Sequence, residues 1–158
     1  MTLKQITSVG LKREHYKADA LILYCVDHRG KEALDEFTRA KGFEYYDLVQ
    51  IPGGAKVLIV LGDATRGIIA KLFQWVTRWI ILGWISTLLR LHHADEIIIV
   101  DHIDCGACGG SSAFGGQEGE YQTHERWLGA GRDLLKKEFP GVPVEAYFVD
   151  YDGFWQVV

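Results

Sequence analysis

Residues 21–29 read Leu21-Ile22-Leu23-Tyr24-Cys25-Val26-Asp27-His28-Arg29, six apolar positions that break off into three polar ones. An apolar run without alternation is the pattern of a parallel strand covered on both faces, because a strand with one wet face alternates. Three similar runs follow, at residues 45–51, at 96–100 with its Ile-Ile-Ile centre, and at 144–149. Between the first two, residues 31–41 place Ala33, Leu34 and Phe37 at helical spacing, and Gly42 is a suitable C-cap. Residues 66–92 and 121–138 read as the longer helices, the second stopped at Pro140-Gly141. Strands alternating with helices predict an α/β fold, an open and mostly parallel sheet of about four strands flanked by helices. Residues 57–61 read either as a further short strand or as the lead-in to the long helix.

The chain has 158 residues, with 17 Lys plus Arg against 21 Asp plus Glu and a formal charge of −4. A hydrophobic share of 48% and a charged share of 24% exclude a disordered, collagen-like or disulfide-dense chain. With no linker or repeat in view, residues 1–158 read as a single domain. Mild acidity and scattered basic residues argue against nucleic acid as a partner. The three cysteines are an odd number, and Met1-Thr2-Leu3-Lys4-Gln5 lacks the basic-then-apolar pattern of a secretory leader. A reducing, cytoplasmic location is therefore expected.

The most apolar segment is 68–91, where Lys71, Arg78 and Arg90 interrupt the run. The longest uncharged stretch, 79–89, is well short of the ~20 residues that cross a bilayer, so it reads as a buried helix and no membrane partner is expected. It carries Trp75, Trp79 and Trp84, and its second half is apolar all round. A domain of this size seldom surrounds such a helix, so a homodimer or higher homo-oligomer is expected, with this helix at the subunit interface.

Two polar segments sit where strands end: Cys25-Val26-Asp27-His28-Arg29, and His102-Ile103-Asp104-Cys105-Gly106. Ligand sites of open parallel sheets form outside the carboxyl ends of the strands, where strand order reverses. If the two strands are neighbours, Cys25, His102 and Cys105 converge, and two thiolates with an imidazole make a three-ligand set suited to zinc with one position open. Each piece alone stays ambiguous. A buried cysteine at a strand end is more often a small hydrophobe than a ligand, and His-x-x-Cys arises by chance.

Taken together, Cys25-x-Asp27-x-Arg29 followed by His102-x-x-Cys105-Gly106 resembles the paired signature of the β-class carbonic anhydrases, in the expected order and from residue 21 to about 149. The resemblance implies a short, bacterial-type member of that family. It implies Cys25, His102 and Cys105 as ligands of Zn²⁺, Asp27 and Arg29 as the catalytic dyad beside the metal, and reversible hydration of CO₂ to bicarbonate by a zinc-bound hydroxide. CO₂ and bicarbonate would then be the small-molecule partners. Related functions with the same ligands are hydrolysis of carbonyl sulfide or carbon disulfide, and a zinc-binding homodimer of low activity. With two thiolates and a neutral imidazole the zinc site is formally uncharged, so it should acidify water less than a three-histidine site does. In the family, Asp27 either pairs with Arg29 or takes the fourth zinc position.

Around this centre, His28 reads as a solvent-facing or packing histidine with proton shuttling as the alternative, and His92, His93 and His124 as weaker shuttle candidates. Asp101 and Asp104 read as loop carboxylates or as acceptors for the His102 ring. Cys108 reads as a spare thiol. Gly53-Gly54 reads as a turn or as a close backbone approach to the metal pocket. The glycine-rich stretch 109–116 lacks the Gly-Lys-Ser/Thr of a phosphate loop. Three departures from the larger members of the family stand out: the short length, His28 where a serine is expected, and a long segment between Gly53 and the His-x-x-Cys strand.

Overall fold

The computed structural model describes residues 15–59 and 67–158. The readings made above for residues 1–5, for residues 60 and 61, and for position 66 as a helix start lie outside the described residues. The elements are β1 (Ala20–Tyr24), α1 (Lys31–Lys41), β2 (Tyr46–Gln50), α2 (Ile68–His92), β3 (Glu96–His102), α3 (Gln117–Glu138), β4 (Val144–Val149) and β5 (Phe154–Gln156). They form one sheet in the order β2-β1-β3-β4-β5. The first four strands run parallel and β5 returns antiparallel to β4.

The apolar runs are strands for the reason expected of them. Every residue of β1 is buried, and so are six of the seven of β3. On one face Leu21, Leu23, Ile97 and Ile99 pack with Ile81 and Ile85 of α2 and Leu128 and Leu135 of α3. On the other, Ile22, Tyr24, Ile98 and Val100 pack with Leu34 and Phe37 of α1. Gly42 ends α1 with φ 77°, the left-handed cap its position called for.

Four boundaries differ from the sequence reading. β3 runs on to His102, because Asp101 and His102 remain paired with Phe148 and Val149. α3 begins at Gln117 rather than at 121. Residues 54–58 form a 3-10 turn, not a strand. The sheet has a fifth strand, only three residues long, folded back by a turn in which Asp150 Oδ1 accepts the Asp152 and Gly153 N–H groups. A strand that short has no period to read.

Only one face of the C-terminal half of α2 is buried as expected, with Trp84 and Leu91 of the same half exposed. Ile81, Leu82 and Ile85 sit on the sheet, whereas Ile68, Phe73 and Trp79 are 84%, 71% and 56% exposed. Among the described residues no further element lies over the first half. By length and composition α2 is the one helix among the described residues that could cross a membrane.

Candidate metal centre

The chain lays β2 on one side of β1 and then returns to place β3 on the other, so strand order reverses between β1 and β3. Leu23 is level with Ile99, which sets the residue following β1, Cys25, beside the end of β3, His102. Cys105 completes the group from the turn after β3. All three side chains are buried, and their ligand atoms lie within 4.8 Å of one another. The two Sγ atoms are 3.8 Å apart. Two thiolates bound tetrahedrally at about 2.3 Å from a zinc ion stand about 3.8 Å apart.

The imidazole is prepared in the same sense. His102 Nδ1 lies 2.8 Å from the Ile103 carbonyl, which can only accept, so Nδ1 carries the proton and Nε2 the lone pair. Nε2 is buried with no hydrogen-bond partner among the described residues. An orphaned buried acceptor facing two thiols fits a metal ligand and is costly otherwise. Hydrogen bonding to Cys105 together with burial pushes the Cys25 thiol up to about 11, so in the metal-free protein this cysteine keeps its proton.

Asp27 and Arg29 lie at the mouth of this group. Arg29 Nη2 donates to Asp27 Oδ2 at 2.7 Å and Nε to Oδ1 at 3.1 Å. The Arg29 backbone N–H adds a 3.0 Å bond to Oδ1, the carboxylate capping the turn it begins. These bonds from Arg29 hold the Asp27 carboxyl down at about 2. Asp27 Oδ2 is nonetheless 3.9 Å from His102 Nε2, so the paired carboxylate stands at the edge of the cluster. Beside it opens a pocket of about 100 Å³ walled by Tyr24, Ala33, His102 and Val149, with Arg29 at its rim.

Gly54 is the close backbone approach, whereas a Cβ on Gly53 would meet nothing nearer than 3.6 Å. At Gly54, with φ 52°, a Cβ would lie 2.7 Å from the Val100 carbonyl oxygen, 2.7 Å from Asp101 Oδ1 and 3.5 Å from Cys25 N. The loop after β2 is thereby pressed onto the ends of β1 and β3.

Neither Asp101 nor Asp104 orients the His102 ring; the Ile103 carbonyl does. Asp101 is buried, accepts the Ala55 N–H at 2.8 Å and pairs with His124 Nδ1 at 3.0 Å. Asp104 holds Arg29 instead. His124 is therefore a core residue, His28 is exposed, and His92 pairs with Asp47 at 2.8 Å, beside the opposite end of β2. Cys108 lies outside the three-residue cluster. The sequence reading passed over Glu120, which is fully buried in the first turn of α3 and accepts the Asp104 N–H at 2.7 Å. The signal existed: Glu120 and His124 fall in phase with Leu128, Gly131 and Leu135 on the buried face of α3.

A helix-flanked parallel sheet with a Cys-His-Cys cluster beyond its carboxyl edge is the β-carbonic anhydrase fold, and solved structures agree. Carbonic anhydrase from Streptococcus mutans superposes with a TM-score of 0.56 at 14% identity, covering 94% of this chain and 88% of its own. β-Carbonic anhydrase isoform I of Trichomonas vaginalis gives 0.55 at 10% identity, covering 96% and 88%. A tetrameric β-carbonic anhydrase of Sordaria macrospora gives 0.57 at 14% identity, covering 90% and 81%. No protein-family model matches the chain. By sequence, the chain belongs to the same family as an uncharacterized protein of Rickettsia conorii, 30% identical over 158 residues that cover 95% of this chain and 79% of that protein. An uncharacterized protein of Rickettsia bellii is 28% identical over 160 residues, covering 95% and 90%.

Proposed function

We propose that this protein is a zinc-dependent carbonic anhydrase interconverting CO₂ and bicarbonate, with Cys25, His102 and Cys105 as the zinc ligands. The observation that carries the reading is the convergence of those three buried side chains with the Asp27–Arg29 pair at the carboxyl ends of adjacent strands. Zinc held there would supply a Lewis acid that lowers the pKa of water, less far than a three-histidine site does, and so a nucleophile whose share grows with pH.

The chain's own residues do the rest. Ile103 fixes the ring of His102 through Nδ1, so that Nε2 is presented unprotonated. Asp27, ionised because Arg29 donates to both of its oxygens, is an acceptor only. It can accept a hydrogen bond from a protonated oxygen at the cluster and orient it. Arg29 keeps the carboxylate in that position. The pocket behind, about 100 Å³ with Tyr24, Ala33 and Val149 on its walls, suits a substrate of a few heavy atoms and is well below the ~300 Å³ of ordinary small-molecule sites.

The exposed half of α2 supports a homo-oligomer. Ile68, Ile69, Leu72, Phe73, Trp75 and Trp79 are all exposed, an apolar area on the order of 1,000 Å² that matches the ~800 Å² each partner buries in a stable interface. The groove between α2 and the edge strand β2, lined by Leu48, Trp84 and Leu88, continues it.

Stopped-flow CO₂ hydration by protein with one zinc per chain tests the enzyme reading. Turnover above buffer that rises with pH is expected, and no rate above buffer at pH 8.5 with zinc bound would overturn it. Sulfide release from carbonyl sulfide in place of CO₂ hydration would move the activity to the related hydrolysis.

A further inference from the structure

Glu120 is a fully buried carboxylate with no part in the chemistry proposed above. Burying a charge is costly unless its oxygens are satisfied, and both of these are. Oε1 accepts the Asp104 N–H at 2.7 Å, and Oε2 accepts the Ser111 hydroxyl at 2.5 Å. The residue so held is unusual in itself. Asp104 has φ 53°, and only it and His93 among the described non-glycine residues adopt the left-handed region.

In that conformation Asp104 presents two acceptors to Arg29. Its Oδ2 lies 3.3 Å from Nη1 and its carbonyl oxygen 3.0 Å from Nη2. Its other carboxylate oxygen accepts the Ser111 N–H at 3.2 Å. The guanidinium is thus gripped by Asp104 on one side and by Asp27 on the other. An exposed Asp–Arg pair alone is weak and exchanges with solvent, and the Arg29 side chain is 58% exposed. Asp27 stands 3.9 Å from His102 Nε2, close enough to join the cluster if the guanidinium let it go.

We infer that Glu120 and Asp104 are positioning residues that anchor Arg29 from the side opposite Asp27, so that the guanidinium retains the Asp27 carboxylate and keeps it from capping the Cys25-His102-Cys105 cluster. The inference rests on the metal-centre reading. It assigns the buried Glu120, which touches neither Arg29 nor the cluster's ligands, an effect on access to the metal.

The test uses Co²⁺-loaded protein titrated with azide, a monodentate anion, followed by visible absorption. Asp104→Asn is the informative variant, because asparagine accepts the left-handed conformation and can still accept the Ser111 N–H, while the charge facing Arg29 is lost. Removing a negative charge should by itself tighten anion binding. The inference requires the opposite: if Asp27 caps the site about nine-tenths of the time, azide affinity falls about tenfold. Adding Asp27→Ala to Asp104→Asn should restore it. Glu120→Gln should weaken azide in the same direction, and Asp104→Asn keeps the inference testable if Glu120→Gln does not fold. Azide affinity in Asp104→Asn equal to or tighter than wild type overturns the inference, as does weakening that Asp27→Ala leaves in place. Failure of the wild-type chain to take up Co²⁺ overturns the metal-centre reading instead, and the inference with it.

Discussion

Gly54 is pressed so closely against Asp101 that a single added carbon would lie 2.7 Å from Oδ1 of that buried carboxylate, and it holds this place with φ 52°. The contact lets Asp101 Oδ1 reach the Ala55 N–H at 2.8 Å and sets the loop against the backbone of Cys25. Gly54→Ala must therefore accept a left-handed φ and displace either Asp101 or the end of β3. A loss of about 2 to 3 kcal/mol in the denaturant-unfolding free energy is expected, together with weaker Co²⁺ uptake. Unchanged stability and uptake would show that the loop has slack.

Asp101 faces His124 across the same junction, with 3.0 Å between Oδ2 and Nδ1 and both groups buried. Removing the imidazole leaves a buried carboxylate short of a hydrogen-bond donor, which together with the emptied volume costs about 3 kcal/mol or more. His124→Ala should fall in that range. It also empties space among Phe114, Trp127 and Phe148, whose rings surround the imidazole. Asp101→Asn combined with His124→Phe, which removes the carboxylate charge and its imidazole partner, keeps an oxygen for the Ala55 N–H and keeps the aromatic packing, should recover part of the loss. Equal loss in His124→Ala and in the double variant would contradict both the unpaired carboxylate and the lost packing as the source of the cost.

The legible parts of this protein were those where sequence position and spatial position coincide. Strands β1 and β3 could be read because burial on both faces leaves no alternation, and Cys25 and His102 because strand ends in a parallel sheet converge. Asp27 and Arg29 are two residues apart on one turn, so their pairing needed no tertiary knowledge. Glu120 escapes a sequence reading because the helical pattern is legible only from the residue after it, and a first-turn glutamate reads as a favourable solvent-facing charge. Asp104 was noticed only as a neighbour of His102, although its partner, Arg29, arrives from β1. That α2 needs cover beyond one chain is legible in its apolar pattern and the chain's size; which half stays exposed is not, because the pattern shows that a surface wants cover and is silent on which part the sheet supplies.

Cys105 and Cys108 should separate cleanly. Cys105→Ser removes a proposed ligand atom that sits 3.8 Å from Cys25 Sγ, so if the metal reading holds, zinc retained through gel filtration should drop from about one per chain to nearly none. Cys108, outside the cluster, should tolerate serine with zinc content unchanged. Metal analysis of the two variants decides this, and zinc loss in Cys108→Ser with retention in Cys105→Ser would reassign the ligands.

Metal uptake should depend steeply on pH. The Cys25 thiol is pushed up to about 11 by hydrogen bonding to Cys105 and by burial, and only a thiolate binds metal. Each thiol proton displaced adds about one decade of apparent affinity per pH unit between pH 6 and 8. For folding the sign is the reverse. A raised folded value stabilises the metal-free protein fully below the unfolded thiol's value of about 8.5, and this contribution is lost as pH rises toward about 11. Metal-free protein should lose thermal stability across that alkaline window while the zinc form does not. Chelator competition, corrected for the chelator's own protonation, measures the first effect and thermal melts the second; affinity independent of pH would contradict thiolate ligation.

The exposed half of α2 yields the last prediction. Phe73 and Trp79 stand 71% and 56% exposed on a segment with no acidic residue between Ile68 and His92. If a second copy covers this face, a glutamate at either position places a carboxylate in an apolar interface, where desolvation alone costs several kcal/mol per ion. Two-fold symmetry enters each substitution twice. Phe73→Glu and Trp79→Glu should then shift the sedimentation mass to that of one chain, 17.8 kDa, at concentrations where the wild type sediments as a dimer or larger. Neither residue packs in the core clusters, so the monomer should keep its fold by circular dichroism. A wild-type chain that sediments as a monomer would remove the second copy as the occupant. Co-sedimentation of that monomer with anionic lipid vesicles would then point to a membrane surface, for which Lys71, Arg78 and Arg90 are suitably charged.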